Sequence, residues 1–173
     1  MKIIVGLGNV GDRYAHTYHN LGFLTAECLA LRFNAEFIKK ECDALTAHAE
    51  YRGKKVILAK PQTMMNLSGR AVQKLLKFYK CEPKDLLVIF DDIDIEKGKI
   101  KFKERGSGGT HNGMRDIVFL IDEEFPRIKV GCGRPPEGRD LASFVLSQIP
   151  KSDRKVFASA IEDAADRAEA WLE

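Results

Sequence analysis

His19, Asp91 and the asparagines Asn9, Asn66 and Asn112 are the side chains whose types and surroundings could do chemistry. His19 lies in KIIVGLGNVGDRYAHTYHNLG, residues 2–22, in a polar, aromatic loop that also holds Asn9, Tyr14, His16 and Asn20. Asp91 begins an acidic cluster with Asp92 and Asp94, directly after the apolar run LLVIF. An imidazole held by a carboxylate is a general base, because the carboxylate selects its tautomer and stabilises the imidazolium. If the two apolar runs are parallel neighbours in a sheet, their C-terminal ends bring this loop beside the acids, at the edge where α/β proteins bind ligands. The competing reading is that His19 caps its helix and the acids form a solvated turn. Asn66, in TMMNLSG, and Asn112, in GGTHNGMRD, stand at helix starts, where asparagine is a good cap. A neutral amide there can equally donate to a carbonyl or an oxyanion. No serine or cysteine stands in a nucleophile elbow, so water is the expected nucleophile, without a covalent intermediate.

Gly6, Gly8 and Gly11 spell G-x-G-x-x-G after an apolar run, the pattern of a dinucleotide-binding turn. That turn needs a helix opening at the glycines, so that its N-terminus meets the pyrophosphate. Here the glycines lead into the polar loop DRYAHTYHN instead, and the acid at the right distance for a ribose, Glu27, falls inside a helical pattern. The glycines alone are therefore weak evidence for a nucleotide.

Lys99, Lys101 and Lys103 alternate with Ile100 and Phe102, which reads as a half-buried strand with one cationic face. Arg105 follows, then a glycine loop over 106–113 that lets a phosphate or another backbone come close. Lys129, Arg134 and Arg139 could join them across the fold. Such a face is often merely solvated. Without interleaved aromatics, the nucleic-acid mode it would serve is phosphate contact rather than base stacking.

The elements that must position these groups follow from periodicity. Residues 3–7 and 86–90 read as buried strands, and 35–40, 45–51 and 55–60 as further strands, with a hairpin turn at Arg52, Gly53 and Lys54. Helices are expected over 20–33 and 68–79 (capped by Ser68), from the glycine loop through Leu120, and over 140–148. From Ser152 onward the chain reads as an amphipathic helix with Val156, Phe157, Ala160, Ile161, Ala164, Ala168, Trp171 and Leu172 inward; a strand over 127–132 precedes it. The whole is a single α/β domain, residues 1–173, with a twisted mixed β-sheet and helices on both faces. A 173-residue chain with 45% hydrophobic and 31% charged residues can bury a core, and its net charge of +3 is too small to argue for nucleic acid by itself. No segment has the roughly 18 apolar residues of a membrane span, and the N-terminus does not read as a signal peptide. Cys28, Cys42, Cys81 and Cys132 are widely spaced, as expected of free thiols in a reduced cytoplasmic protein rather than a metal site.

Together these pieces resemble the bacterial-type peptidyl-tRNA hydrolase family. The residues that carry the match are VGLGNVGDRYAHTYHNLG, KPQTMMNLSG, FDDIDIEKGKIKFKERGSGGTHNG and RIKVGCGRP, in family order from about Ile3 to Trp171. The resemblance implies a phosphorylase/hydrolase-like fold and a monomeric hydrolase without metal or cofactor. It would cleave the ester between a peptide and the 3′-terminal ribose of tRNA, recycling peptidyl-tRNA during translation. It further implies His19 as the base that activates water, Asp91 as its orienting carboxylate and Asn66 as holder of the attacked carbonyl or its oxyanion. Asn9, Tyr14 and Asn112 would contact substrate, and Lys103 and Lys129, with Arg105 and Arg134 nearby, would grip phosphates of the acceptor arm. The chain departs from the family at several points: Val10 replaces a usual proline, Met64 an aromatic, Thr110 a glycine and Lys129 an arginine, and the chain ends soon after Trp171. The alternative is a non-catalytic RNA-binding relative on the same fold.

Overall fold

Ile3, Ile4 and Val5 form the centre of β1 (Lys2–Gly6) and are fully buried. A strand apolar on both faces belongs in the middle of a sheet covered on both sides. The computed structural model, which describes residues 1–173, places it there. After β1 come α1 (Leu21–Arg32), β2 (Lys39–Glu41), β3 (Ala44–Tyr51), β4 (Lys54–Pro61), α2 (Ser68–Phe78) and β5 (Leu86–Asp92). Then follow β6 (Ile100–Lys103), α3 (Asn112–Ile121), β7 (Arg127–Gly131), α4 (Leu141–Val145) and α5 (Arg154–Leu172). All seven strands lie in one sheet, in the order β2-β3-β4-β1-β5-β7-β6. Strands β4, β1, β5 and β7 run parallel, while β3 and β6 run against their neighbours, so the sheet is mixed.

The period of two divides the core into two layers. Ile3, Val5, Leu86, Val88 and Phe90 face Val72 and Leu75 of α2 and Met114 and Ile117 of α3. Ile4, Leu87 and Ile89 face Leu21 and Leu29 of α1 and an alanine stripe of α5, Ala160, Ala164 and Ala168. Alternation then carries Asp91 to the face of Leu87 and Ile89, the one that α1 covers. Arg32 ties α1 to α5 through Glu162, Asp166 and Glu169.

Four local expectations fail. The strand expected over 35–40 shrinks to β2, because only Lys39, Lys40 and Glu41 find partners on β3. Phe33, Ala35 and Phe37 do point alternately at the core, but as an unpaired strap. Ser68 does not cap α2: a 3-10 turn (Met65–Leu67) leads into the helix, Leu67 occupies the cap position, and Ser68 Oγ donates back to Met65 O at 2.7 Å. The helix expected over 140–148 is only Leu141–Val145, with Asp140 as its cap. Val156 is 38% exposed, since it lies about 100° around α5 from the buried Phe157.

At the β2–β3 edge, far from the acids of β5, the Glu41 carboxylate accepts from Thr46 Oγ1 (2.6 Å), Tyr79 OH (2.5 Å) and His48 Nε2 (2.9 Å). Burial alone would raise its pKa, but these donors and Lys39 hold it at about 2. A depressed carboxylate stabilises the fold above its unfolded pKa of about 4.3 and stops doing so as pH falls through the folded value. Glu41→Gln is therefore expected to lower stability at pH 7 by about 1–2 kcal/mol, water at the edge screening the rest, and to flatten the loss between about pH 4.5 and 2. Denaturant titrations of both proteins across that range check it. Equal pH dependence would mean that Glu41 contributes nothing to acid sensitivity.

Candidate active site

Parallel pairing of β1 with β5 aligns Gly6 with Ile89, so the loop after β1 and the acids after Ile89 leave the sheet at the same edge. In that loop a 3-10 turn (Tyr18–Asn20) delivers His19 over β5, and His19 Nδ1 lies 2.8 Å from Asp91 Oδ2. His19 does not cap α1, whose cap position is Asn20, while Asp92 and Asp94 do form a turn, with Asp94 N donating to Asp92 Oδ1 at 2.8 Å. Asn20 locks the loop on itself: its Oδ1 accepts from Asn9 N at 2.8 Å and its Nδ2 donates to Asn9 O at 2.9 Å. The outer part of the loop is held by Gln148 Nε2 donating to Arg13 O at 3.0 Å and by Tyr18 stacking on Phe144 at 4.5 Å.

Asp91 is 2% exposed and accepts a second hydrogen bond that sequence reasoning missed, from His111 Nε2 to Oδ1 at 2.9 Å. The one available signal was a histidine between the glycine loop and Asn112, and it reads as an ordinary helix start. It is that as well, since His111 Nδ1 accepts from Met114 N at 3.2 Å and so caps α3. Burial works against the Asp91 charge, but the two histidines more than offset it and hold the carboxyl well below the usual range. Asp91 is thus the acceptor of both bonds, and His19 carries its proton on Nδ1. Burial also works against a His19 imidazolium, yet the charge of Asp91 and the hydrogen bond to it raise the His19 pKa overall. Nε2 makes no hydrogen bond within the protein, and His19 lines the cavity.

His19, Asp91 and His111 offer ligand atoms within 4.8 Å of one another, close enough to consider a metal. Both carboxylate oxygens and three of the four ring nitrogens are already engaged with one another or with backbone, so the group is complete as a hydrogen-bonded chain.

These residues line one cavity of about 720 Å³. Asn9, Asn66 and Asn112 all reach it, as do Met64 and Thr110. Asn9 Oδ1 accepts from Met65 N at 2.7 Å, which fixes the amide and turns its NH₂ away from that backbone. Asn66 and Asn112 are exposed and their side-chain amides make no hydrogen bond within the protein, so neither is a helix cap. Met64 holds φ 64°, ψ 160°, an unusual backbone for a side chain with a Cβ, at the turn that presents Asn66.

Lys103 and Lys129 also line the cavity, and β6–β7 pairing sets Lys129 opposite Lys101. Lys129 is 3.3 Å from Asp92, whereas Lys103 makes no ion pair. Arg105 and Arg134 lie outside the lining, paired with Glu124 (2.9 Å) and Asp94 (2.8 Å). Tyr14 is not brought to the cavity either; its ring lies under Arg13. The glycines find their reason in packing. A Cβ on Gly6 would come within 2.1 Å of Gly22 O, and one on Gly8 within 2.5 Å of the Phe23 ring. The place of a pyrophosphate is filled by the protein's own helix.

The family described as peptidyl-tRNA hydrolase matches residues 3–173. A peptidyl-tRNA hydrolase from Alkaliphilus oremlandii (strain OhILAs) is 45% identical over 98% of this chain and 91% of its own. The crystal structure of a peptidyl-tRNA hydrolase from Acinetobacter baumannii superposes with a TM-score of 0.94 at 34% identity, covering 99% of this chain and 88% of the other. A uridine phosphorylase from Vibrio fischeri shares the fold alone, with a TM-score of 0.59 at 11% identity over 99% of this chain and 90% of its own.

Proposed function

Since the chain belongs to the peptidyl-tRNA hydrolase family and is a hydrolase acting on the peptidyl-tRNA ester, we propose that His19 is the base of that reaction and Asp91 the group that orients it. The observation that carries the assignment is the 2.8 Å contact of His19 Nδ1 with an ionised, buried carboxylate, which leaves Nε2 facing the cavity. Nε2 takes a proton from water as the water oxygen attacks the ester carbonyl. The resulting imidazolium is stabilised by Asp91 and returns the proton to the departing ribose oxygen. Help of this kind is worth about 10²–10⁴-fold. The Asn9 NH₂, held by the Met65 N–H on its Oδ1, and the free amide of Asn66 donate to the carbonyl oxygen as it gains charge; losing one such donor costs about 10²–10³-fold. Asn112 binds the neighbouring part of the substrate. Residues 1–173 act as one domain, as a monomer in the cytoplasm, without cofactor. No helix is long and apolar enough to cross a membrane. Incubation with N-blocked aminoacyl-tRNA should release free tRNA; intact substrate after long incubation would favour the non-catalytic RNA-binding reading.

Lys103, unpaired beside the glycine loop, and Lys129 take phosphates of the acceptor arm, while Arg105 and Arg134, committed to acids, contribute only to the field. Lys129 lacks the bidentate fork of an arginine, and Asp92 shares its charge. Lys103→Ala is therefore expected to weaken tRNA binding and to lower the slope of log K against log salt by roughly 0.7–0.9, one released counterion. An unchanged slope would place Lys103 in solvent only.

A further inference from the structure

We infer that His111 is a positioning residue for the hydrolysis: its Nε2–H holds Asp91 Oδ1 so that Oδ2 faces His19, and the helix cap on its Nδ1 makes that donation irreversible. The inference rests on the assignment of His19 as the base. It follows from what surrounds the ring. The Met114 N–H points at His111 Nδ1 at 3.2 Å, and an N–H needs a lone pair to meet it. Nδ1 therefore carries no proton, and the single ring proton is on Nε2, 2.9 Å from Asp91 Oδ1. His111 is 8% exposed with Phe90 edge-on at 5.0 Å, and a ring turned over would break the bonds to both Asp91 and Met114. The two histidine rings lie 4.7 Å apart, one on each carboxylate oxygen.

This arrangement has a chemical consequence. A carboxylate that gives part of its charge to a permanent donor pulls less strongly on its other partner. His111 so keeps Asp91 from making His19 too strong a base, which would leave it protonated and useless at neutral pH. The other charged groups on this cavity are Asp92 at the end of β5, Asp94 in the turn that leads from β5 to β6, Lys103 from β6, Lys129 from β7 and Asp140 at the start of α4. The Cys132 thiol is pushed up by burial and by Asp91 and Asp92, and stays a thiol. None of these groups depends on His111, so they cancel in a comparison of His111 variants.

Two substitutions divide the two roles of the ring. Asparagine places an acceptor where Nδ1 is and nothing at Nε2; glutamine places a donor where Nε2 is and no cap. In His111→Asn the acid limb of kcat/KM, and the His19 titration followed by NMR, should move up by roughly 0.5–1 unit, with plateau kcat down about 3–30-fold. In His111→Gln both should stay near the wild-type position while the thermal midpoint falls by a few degrees, because the cap of α3 is lost. Nitrogen NMR of the wild-type imidazoles should show His111 as the Nε2–H tautomer. A proton on Nδ1, an unmoved limb in His111→Asn, or equal shifts in both variants would each overturn the inference and reduce His111 to a helix cap. If His111→Asn fails to fold, the tautomer and the glutamine variant decide. Failure of the His19 assignment looks different: wild-type kcat/KM would then show no acid limb, or a His19 variant would keep its activity.

Discussion

His19→Ala is expected to lower kcat/KM for N-blocked aminoacyl-tRNA by about 10²–10⁴-fold while tRNA binding persists. Asn66, Asn112 and Lys103 lie on other elements, and Asn9, in the same loop as His19, is held by Asn20 and by the Met65 N–H rather than by the imidazole. Alanine also leaves Asp91 Oδ2 without its donor, and a buried polar group so stranded costs about 1–3 kcal/mol. The remaining bond from His111 limits the damage. To separate lost chemistry from lost stability, His19→Asn is the better variant. Its amide can still donate to Asp91 from the position of Nδ1, but it has no base at the position of Nε2. It should be as inactive as His19→Ala with a thermal midpoint close to wild type. Retention of more than about a tenth of kcat/KM in the asparagine variant would take the base away from His19.

The pH dependence carries the same assignment with a definite sign. His19 acts unprotonated, so activity should fall as pH drops through its pKa, which lies above the ordinary value of about 6.5. Stability runs the other way. A histidine whose folded pKa is raised contributes stability fully below the unfolded pKa and loses it as pH climbs through the folded one. The ion pair that orients the base therefore supports the fold most where the enzyme is least active.

The central strands were legible because their residues are apolar on both faces, a pattern that admits few environments. Their ends, bearing Asn9 and Asp91, then pointed to the sheet edge where the cavity lies. The lysine strand was legible through simple alternation, and β6 shows it, with Lys101 and Lys103 exposed and Ile100 and Phe102 half-buried. His111 was not legible, because its partner is 20 residues away along the chain and only the return of α3 to the sheet edge brings them together. A single polar residue carries no period, so nothing local distinguishes a cap that also holds a carboxylate from one that does not. The cationic cluster was half legible for a related reason. Charge can be read from type, but whether an arginine is free depends on acids such as Glu124 and Asp94 that the fold sets beside it. The strand over 35–40 failed because alternation identifies a buried face without naming a partner strand.

Gly22→Ala should be strongly damaging although it lies outside the cavity, and it tests how the fold holds His19. The first turn of α1 docks on the strand ends backbone to backbone: Phe23 N donates to Leu7 O at 3.1 Å, and Leu7 N to Ile89 O at 3.0 Å. A Cβ on Gly22 would lie 2.3 Å from Ile89 O and 2.5 Å from Leu7 N, inside atoms that cannot move without breaking β1 or β5. The helix start must lift instead, and the turn that carries His19 immediately precedes it. The expected cost is about 3 kcal/mol or more, read as a fall in thermal midpoint of roughly 6–12 °C. Folded protein that remains should lose about 10²-fold in kcat, because a displacement near 1 Å parts His19 from Asp91. Gly11→Ala is the control. Nothing lies within 4 Å of a Cβ there, so only its φ of 114° is strained and the cavity should be intact. If Gly22→Ala were as stable and as active as wild type, the close docking of α1 would not be what positions the base, and the tight glycines of the first loop would need another reason.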